Sequence, residues 1–437
     1  MISSKPTHNT QARTKSTTRR GFMKDAGGAA AAAVIASTAP ARRTLGNVLG
    51  ANERIALGFI GCGGRANNHM KGLSALAAKG EAIQLVAACD IYRPRLQACV
   101  EQYKLKAYRT HQELLQDKSV DAVVIATPDH QHGYQAIDAI QAGKDVYCEK
   151  PITHWRQFEL TKRLAQEVAK SGRVLMVGTQ FMSDGAWGPA RKLIEDGTIG
   201  RVIQAECSYF RPGDWGERNM KIDDPNAKPG PDLDWEAFLG DAPKRPFDVS
   251  RFFRWRMYID YSGGPATDLY PHVMTQVVYM MGVKFPSTVV GTGGKFRFNG
   301  ERDVPDTFSM LVDYPEKLTF VFTGTQGSSY NGPQMYCLGS APIIRGWDAV
   351  LTFRGKEIVV YRHDDKKPKE QRIPIEHGPD HDMFYREWLN GIRTRKQPTS
   401  SAQLAYYTQT VLHMAMTSWQ QGKVAKFDAQ NEKITLV

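Results

Sequence analysis

From Arg54 to Val177, short apolar runs alternate with stretches of helical spacing, and no other feature constrains the fold as strongly. The runs are Arg54–Ile60, Ile83–Cys89, Ala122–Ala126, Asp145–Cys148 and Val174–Val177. A strand covered on both faces needs no polar side, so such runs predict a parallel sheet between layers of helix. Between them, Ala66, Met70, Leu73 and Leu76 recur at helical spacing, and a capping box at Thr110 and Glu113 opens a short helix. A helix through Ala136 and Ile140 stops at Gly143, and Trp155, Phe158, Leu164 and Val168 mark another ending near Gly172.

The first run ends in Gly61-Cys62-Gly63-Gly64-Arg65-Ala66, a G-x-G-x-x-G/A pattern. The first glycine permits the tight turn, the second lets backbone approach a pyrophosphate, and the third small residue allows close helix–strand packing. The helix that follows offers unpaired N–H groups and the positive end of its dipole. Asp90 closes the next strand, where a carboxylate binds ribose hydroxyls and repels a 2′-phosphate, favouring NAD over NADP. Arg93, three residues on, blurs that preference.

Two further strand ends carry polar groups: Ala126-Thr127-Pro128-Asp129-His130-Gln131-His132, and Cys148-Glu149-Lys150-Pro151. This run of motifs, with Glu149-Lys150-Pro151 the most specific, resembles the glucose–fructose oxidoreductase, inositol dehydrogenase and rhizopine-catabolism (Gfo/Idh/MocA) family over almost all of the chain after residue 41. The resemblance implies an α/β Rossmann domain followed by an α+β domain with a large, mostly antiparallel sheet. That sheet would line the substrate site and join subunits into a homo-oligomer. The resemblance also implies NAD, held by the Gly61–Ala66 loop (Cys62 and Arg65 included), Asp90, Thr127, Pro128, His132, Glu149 and Lys150. His130 and His132 have no third ligand nearby in sequence, so no metal is expected.

After Gly178 the pattern turns to β-rich runs: Val202–Phe210, Ser287–Phe298, Thr307–Asp313, Leu318–Thr323, Val350–Phe353 and Ile358–Tyr361. Helices are expected near 190–194, 383–392 and 403–419. The segment Ser262–His272 places Asp268 and His272 four apart, on one face if it is helical. An Asp–His pair at this spacing is more often structural than catalytic. The resemblance assigns this pair, with Lys150, to the catalytic set. Histidine titrates at about 6.5 and can take a hydroxyl proton, Asp268 would orient it, and Lys150 would stabilise charge on the reacting oxygen. Thr275 stands where the family often has Asp, and Tyr270-Pro271 precedes the histidine, so the family's substrate does not transfer. Gln180, Asp268 and His272 are candidates for substrate hydroxyls. The aromatic and arginine residues between Cys207 and Tyr261 (Tyr209, Phe210, Arg211, Trp215, Arg218, Trp235, Phe238, Arg251, Phe252, Phe253, Arg254, Trp255, Arg256, Tyr258 and Tyr261) suit a sugar ring or core packing equally well.

These features point to an NAD(P)-dependent oxidoreductase acting on a sugar, polyol or sugar-derived substrate. The alternative is a glycosidase that uses bound NAD transiently, by oxidation and elimination. The net charge of +12 over 437 residues raises nucleic acid as a partner, but six bases and one acid fall within the first 41 residues. The rest is dispersed, with Lys366-Lys367-Pro368-Lys369 beside acids as a solvated turn, so no nucleic-acid partner is expected. Thr18-Arg19-Arg20-Gly21-Phe22-Met23-Lys24, an alanine-rich run to Ala36 and Ala39-Pro40-Ala41 resemble a twin-arginine export signal. The expected partner is that translocation machinery and the expected location the periplasm, with cleavage or retention of the signal as an anchor left open. A route for folded proteins matches a cofactor bound tightly before export, and six cysteines without C-x-x-C spacing. The expected division is signal 1–41, linker 42–53, nucleotide domain 54–178 and substrate domain 179–437.

Overall fold

The computed structural model describes residues 54–212, 220–332, 334–337, 339–363 and 369–437; the expected signal and linker, Trp215, Arg218 and Lys366-Lys367-Pro368 lie outside them. Strands β1 (Ile55–Ile60), β2 (Ile83–Cys89), β3 (Lys106–Tyr108), β4 (Ala122–Ile125), β5 (Asp145–Cys148) and β6 (Leu175–Val177) form one sheet in the order β3-β2-β1-β4-β5-β6. Every neighbouring pair is parallel. The strand order reverses between β1 and β4, the crevice where open α/β sheets bind ligands.

Helices α1 (Gly64–Ala78), α2 (Arg93–Tyr103), α3 (His111–Gln116), α4 (Asp129–Gln141) and α5 (Phe158–Ser171) make the connections. α1 buries Ala66, Met70, Leu73 and Leu76 at the expected spacing, and α3 opens on the Thr110–Glu113 capping box. α5 starts three residues later than Trp155 and ends on Gly172 in the left-handed conformation. α2 gives little sequence signal because it buries only Leu96 and Cys99.

A 3₁₀ turn (Gln180–Ser183) and α6 (Trp187–Glu195) lead into β7 (Val202–Phe210). Between β7 and β8 (Thr288–Gly294) lie α7 (Trp235–Leu239), α8 (Val249–Phe253), α9 (Pro265–Asp268) and α10 (Pro271–Met281). Then follow β9 (Thr307–Tyr314), β10 (Leu318–Thr325), a two-residue ladder of β11 (Met335–Tyr336) and β12 (Gly339–Ser340), β13 (Ile343–Gly346), β14 (Ala349–Arg354), β15 (Glu357–Arg362) and β16 (Glu370–Pro374). Helices α11 (His381–Thr394) and α12 (Ala402–Gln421) and strands β17 (Ala425–Asp428) and β18 (Lys433–Leu436) close the chain.

Ten of these strands form the second sheet, in the order β16-β15-β14-β13-β7-β10-β9-β8-β17-β18. Only β7 and β10 run parallel; the other neighbours are antiparallel. One face packs Phe308, Met310 and Val312 of β9 and Phe320 and Phe322 of β10 into a core with Val273 and Val277 of α10 and Val411 and Met414 of α12. α12 crosses β8 so closely that a Cβ on Gly291 would lie 2.1 Å from the Ala415 carbonyl oxygen. The opposite face is open: Leu311 is 52% and Ile203 44% exposed.

The chain returns to its first sheet near its end. Val177 N–H donates to Ser400 O at 2.8 Å, Met176 pairs with Ser401, and Leu175 N–H donates to Gln397 Oε1 at 3.2 Å. Arg395 Nη1 grips both oxygens of Asp145 at 2.8 and 2.9 Å. The 179–437 segment therefore supplies backbone to the edge of the 54–178 segment. Among the described residues, no helix is long and apolar enough to cross a membrane.

Candidate active site

The carboxyl ends of β1, β2, β4 and β5 open into a cavity of about 1050 Å³. A cavity of 300–1,000 Å³ takes a drug-sized ligand, so this one has room for a dinucleotide and a small second molecule. The glycine loop forms one wall. Gly61 has φ +92°, and a Cβ there would meet Ala126 O at 3.0 Å, so both its conformation and the adjoining strand end exclude a side chain. Gly63 caps α1 in an extended conformation, and a Cβ on Gly64 would meet nothing within 4 Å. The first N–H groups of a helix have no intrahelical partner. Here they adjoin open space of the kind a pyrophosphate fills, and the residues present fit a dinucleotide.

Asp90 lines the cavity, and its carboxylate braces the loop: Oδ2 accepts the Cys62 N–H at 2.6 Å and Oδ1 the Tyr92 N–H at 2.7 Å. Burial raises its pKa, against the pull of Arg95 and those two N–H groups. Cys62 and Ala66 point into the core rather than the cavity. Thr127 and Pro128 line the next wall with His132, whose ring nitrogens lie 2.7 Å from Thr127 O and Pro151 O. His130 Nε2 lies 2.7 Å from Phe238 O, so both imidazoles tie the strand end to its surroundings.

Glu149 and Lys150 face different partners. Glu149 Oε1 accepts from Arg65 Nε at 2.7 Å and lies 2.8 Å from His69 Nε2, whose Nδ1 lies 2.7 Å from Tyr385 OH. Burial alone would raise the Glu149 carboxyl, but Arg65 and His69 outweigh it and hold it well below the usual range. This buried network ties α1 and α11 to the end of β5. Lys150 Nζ turns the other way and donates to Asp268 O at 2.5 Å and Asp268 Oδ1 at 2.8 Å. Arg256 Nε reaches the same Asp268 oxygen at 3.3 Å, with its guanidinium over the Trp255 ring at 4.1 Å.

The expected single helical face for Asp268 and His272 is divided. Asp268 ends α9 and His272 stands second in α10, with Leu269 and Tyr270 between. His272 lines the cavity with Lys150 and Gln180, and its ring meets Phe181 edge-on at 5.9 Å. Asp268 sits behind Lys150 instead of on the cavity wall. Thr275 faces a smaller recess, with Lys150, Thr179, Ser400, Thr408 and Gln409.

The aromatic residues divide similarly. Phe238, Phe252, Phe253 and Trp255 reach the cavity, as do Arg211 and Arg256. Trp235, Tyr258 and Tyr261 belong to the small aromatic core beneath them, and Tyr209 to the main core. Asp129, to which the sequence pattern assigns no role, is 2% exposed, and burial pushes its carboxyl up to about 7. The available signal was an acid directly after the Thr127-Pro128 strand end.

Residues 55–179 match the model of the Gfo/Idh/MocA oxidoreductase family, NAD-binding Rossmann fold, and residues 241–427 match that family's C-terminal alpha/beta domain. The chain belongs to the Gfo/Idh/MocA oxidoreductase family. Its Rossmann fold is an NAD-binding one. Among its relatives, inositol 2-dehydrogenase of Salmonella typhimurium is 28% identical over 156 residues, 35% of this chain and 45% of that one. Levoglucosan dehydrogenase of Pseudarthrobacter phenanthrenivorans is 31% identical over 147 residues, 32% of this chain and 34% of that one. The matched segments thus span less than half of those enzymes. The WlbA dehydrogenase of Bordetella pertussis, solved with NADH and UDP-GlcNAcA, shares the fold with a TM-score of 0.62 at 20% identity, covering 86% of this chain and 99% of that one.

Proposed function

We propose that this chain is an exported NAD-dependent oxidoreductase that oxidises a secondary alcohol of a sugar, polyol or sugar-derived substrate. The observation that carries the proposal is the placement of Lys150, from the end of β5, and His272, from the start of α10, on the wall of one cavity, with Asp268 bonded to Lys150. Relatives named as inositol and levoglucosan dehydrogenases support the substrate class.

Bound NAD supplies the hydride acceptor. Gly61, Gly63 and Gly64 would hold its pyrophosphate at the start of α1, and Asp90, Thr127, Pro128 and His132 would shape the wall beside it. Lys150 Nζ donates to the reacting oxygen and stabilises the negative charge that develops there. His272 takes the hydroxyl proton. Asp268 holds the ammonium in place through two hydrogen bonds, and Gln180 receives a substrate hydroxyl. Trp255 and Phe252 offer apolar faces to the C–H side of a ring.

The twin-arginine pattern at Arg19-Arg20 supports export to the periplasm, where free nucleotide is scarce and NAD would have to stay tightly bound. The open face of the ten-stranded sheet supports a homo-oligomer. Val290, Leu311, Val321 and Ile343 lie in one row across it, interrupted by Glu206. Purification of the folded protein, identification of the nucleotide released on denaturation, and a screen of sugars with that nucleotide test the reading. Nicotinamide absorbance that changes with oxidation of one sugar supports it. Absence of nucleotide, or cleavage of aryl glycosides with no net reduction, overturns it.

A further inference from the structure

Asp90 and Arg95 flank the same two residues of the glycine loop. Asp90 Oδ2 accepts the Cys62 N–H at 2.6 Å, and Arg95 Nη1 lies 3.7 Å from where a Cβ on Gly63 would stand. Both residues line the large cavity. In a Rossmann domain this end takes the adenosine ribose: an acid after the second strand binds the 2′-hydroxyl, and an arginine nearby accommodates a 2′-phosphate. The chain therefore carries, side by side, the residue that suits NAD and the residue that suits NADP.

Residues 220–234, from the segment between β7 and α7, are bonded along this edge of the first sheet. Arg95 Nε donates to Asp223 Oδ2 at 2.6 Å, and its guanidinium lies over the Phe253 ring at 5.2 Å. The Arg93 side chain pairs with Asp232 at 3.5 Å, and Arg109 Nη1 donates to Pro231 O at 2.5 Å. Backbone contacts fix the segment in place: Arg93 N–H donates to Asp232 O at 2.9 Å, Asp234 N–H donates to Ile91 O at 3.2 Å, and Tyr92 pairs with Leu233. Asp223 itself lines the cavity with Asp90 and Arg95. A phosphate monoester carries about 1.5–2 negative charges near neutrality. At the ribose it would face two carboxylates and would have to draw Arg95 away from Asp223.

We propose that Asp223 is a cofactor-specificity residue: by holding Arg95 it withdraws the cation that a 2′-phosphate needs, and so commits the site to NAD. The inference deepens the oxidoreductase reading and rests on its nucleotide cofactor.

In the test, purified full-length protein is incubated with equimolar NAD and NADP to constant composition, freed of unbound nucleotide and denatured, and the nucleotides it held are quantified. Wild type should hold NAD. Asp223→Asn should raise the NADP-to-NAD ratio by about tenfold, the scale of one charge-assisted hydrogen bond. The rise should shrink with added salt, because both side chains of the pair are partly exposed. Combining Asp223→Asn with Arg95→Ala should erase it. An unchanged ratio in Asp223→Asn overturns the proposal. So does a rise that survives Arg95→Ala, which would assign the effect to Lys221 on the same wall or to the lost acid alone. Parallel loss of both nucleotides overturns it too, and marks a segment that braces the fold. If Asp223→Asn fails to fold, Asp223→Ser replaces it, and failure of both overturns a role confined to the ribose end. A wild type that holds NAD while the variants leave the ratio unmoved spares the oxidoreductase reading; a wild type that holds neither nucleotide overturns both.

Discussion

Lys150 and Glu149 are adjacent in sequence but serve different ends, and substitution should separate them. Lys150→Ala removes a cation that lines the cavity with His272 and bonds Asp268 through both carbonyl and carboxylate. Turnover should fall by about 10²–10³-fold, with nucleotide affinity measured by fluorescence titration nearly unchanged. Glu149→Ala leaves Arg65 and the fully buried His69 without their shared carboxylate, and breaking such a pair costs about 3–5 kcal/mol in urea denaturation. Because the folded-state pKa of Glu149 lies below its unfolded value of about 4.3, its contribution is complete above that value and is lost as pH falls through the depressed one. The stability gap between wild type and Glu149→Ala should therefore hold steady at neutral pH and close in acid. The tripeptide was visible in the sequence, but its division of labour was not. His69 and Tyr385 are 316 residues apart, and only the folded chain brings them to the same imidazole–phenol contact.

At the scale of elements, the glycine loop separates fold from function. Gly63 caps α1 at φ −74°, ψ −176°, a conformation that aspartate adopts readily, and only Arg95 Nη1 comes within 4 Å of an added Cβ. Gly63→Asp should leave the melting temperature unchanged or slightly higher while abolishing nucleotide binding, because the new carboxylate occupies the phosphate position. A parallel loss of both would mean that the loop shapes the fold and not the ligand site. The strands of the first sheet were legible because burial on both faces leaves unbroken apolar runs, as in β4, where all four residues are buried. The edge strand β3 and helix α2 were not, since each exposes most of its length and carries little pattern. In the second sheet, β9 and β10 announced themselves by alternation, whereas β16 is almost wholly exposed. The division of Asp268 and His272 between α9 and α10 also escaped the sequence, because the pair's spacing of four suits one helix as well as two short ones.

For the whole molecule, the open sheet face gives the proposed homo-oligomer a testable form. Val290, Leu311, Val321 and Ile343 present an apolar row on a surface that no described helix covers, and Leu311 stands at the centre of the sheet's exposed side. Leu311→Lys should shift the protein to a smaller species in light scattering, with its melting profile as a monomer otherwise intact. A wild type that is already monomeric would remove this face from the assembly.

The return of residues 395–401 to β5 and β6 has a consequence for biosynthesis. Ser400, Ser401, Gln397 and Arg395 complete the edge of the nucleotide-binding sheet, although that sheet's own strands end at Val177. A nascent chain can form the glycine loop early but cannot finish the sheet that supports it until more than two hundred further residues have left the ribosome. The sheet beneath the glycine loop is therefore finished by residues far downstream of its own strands.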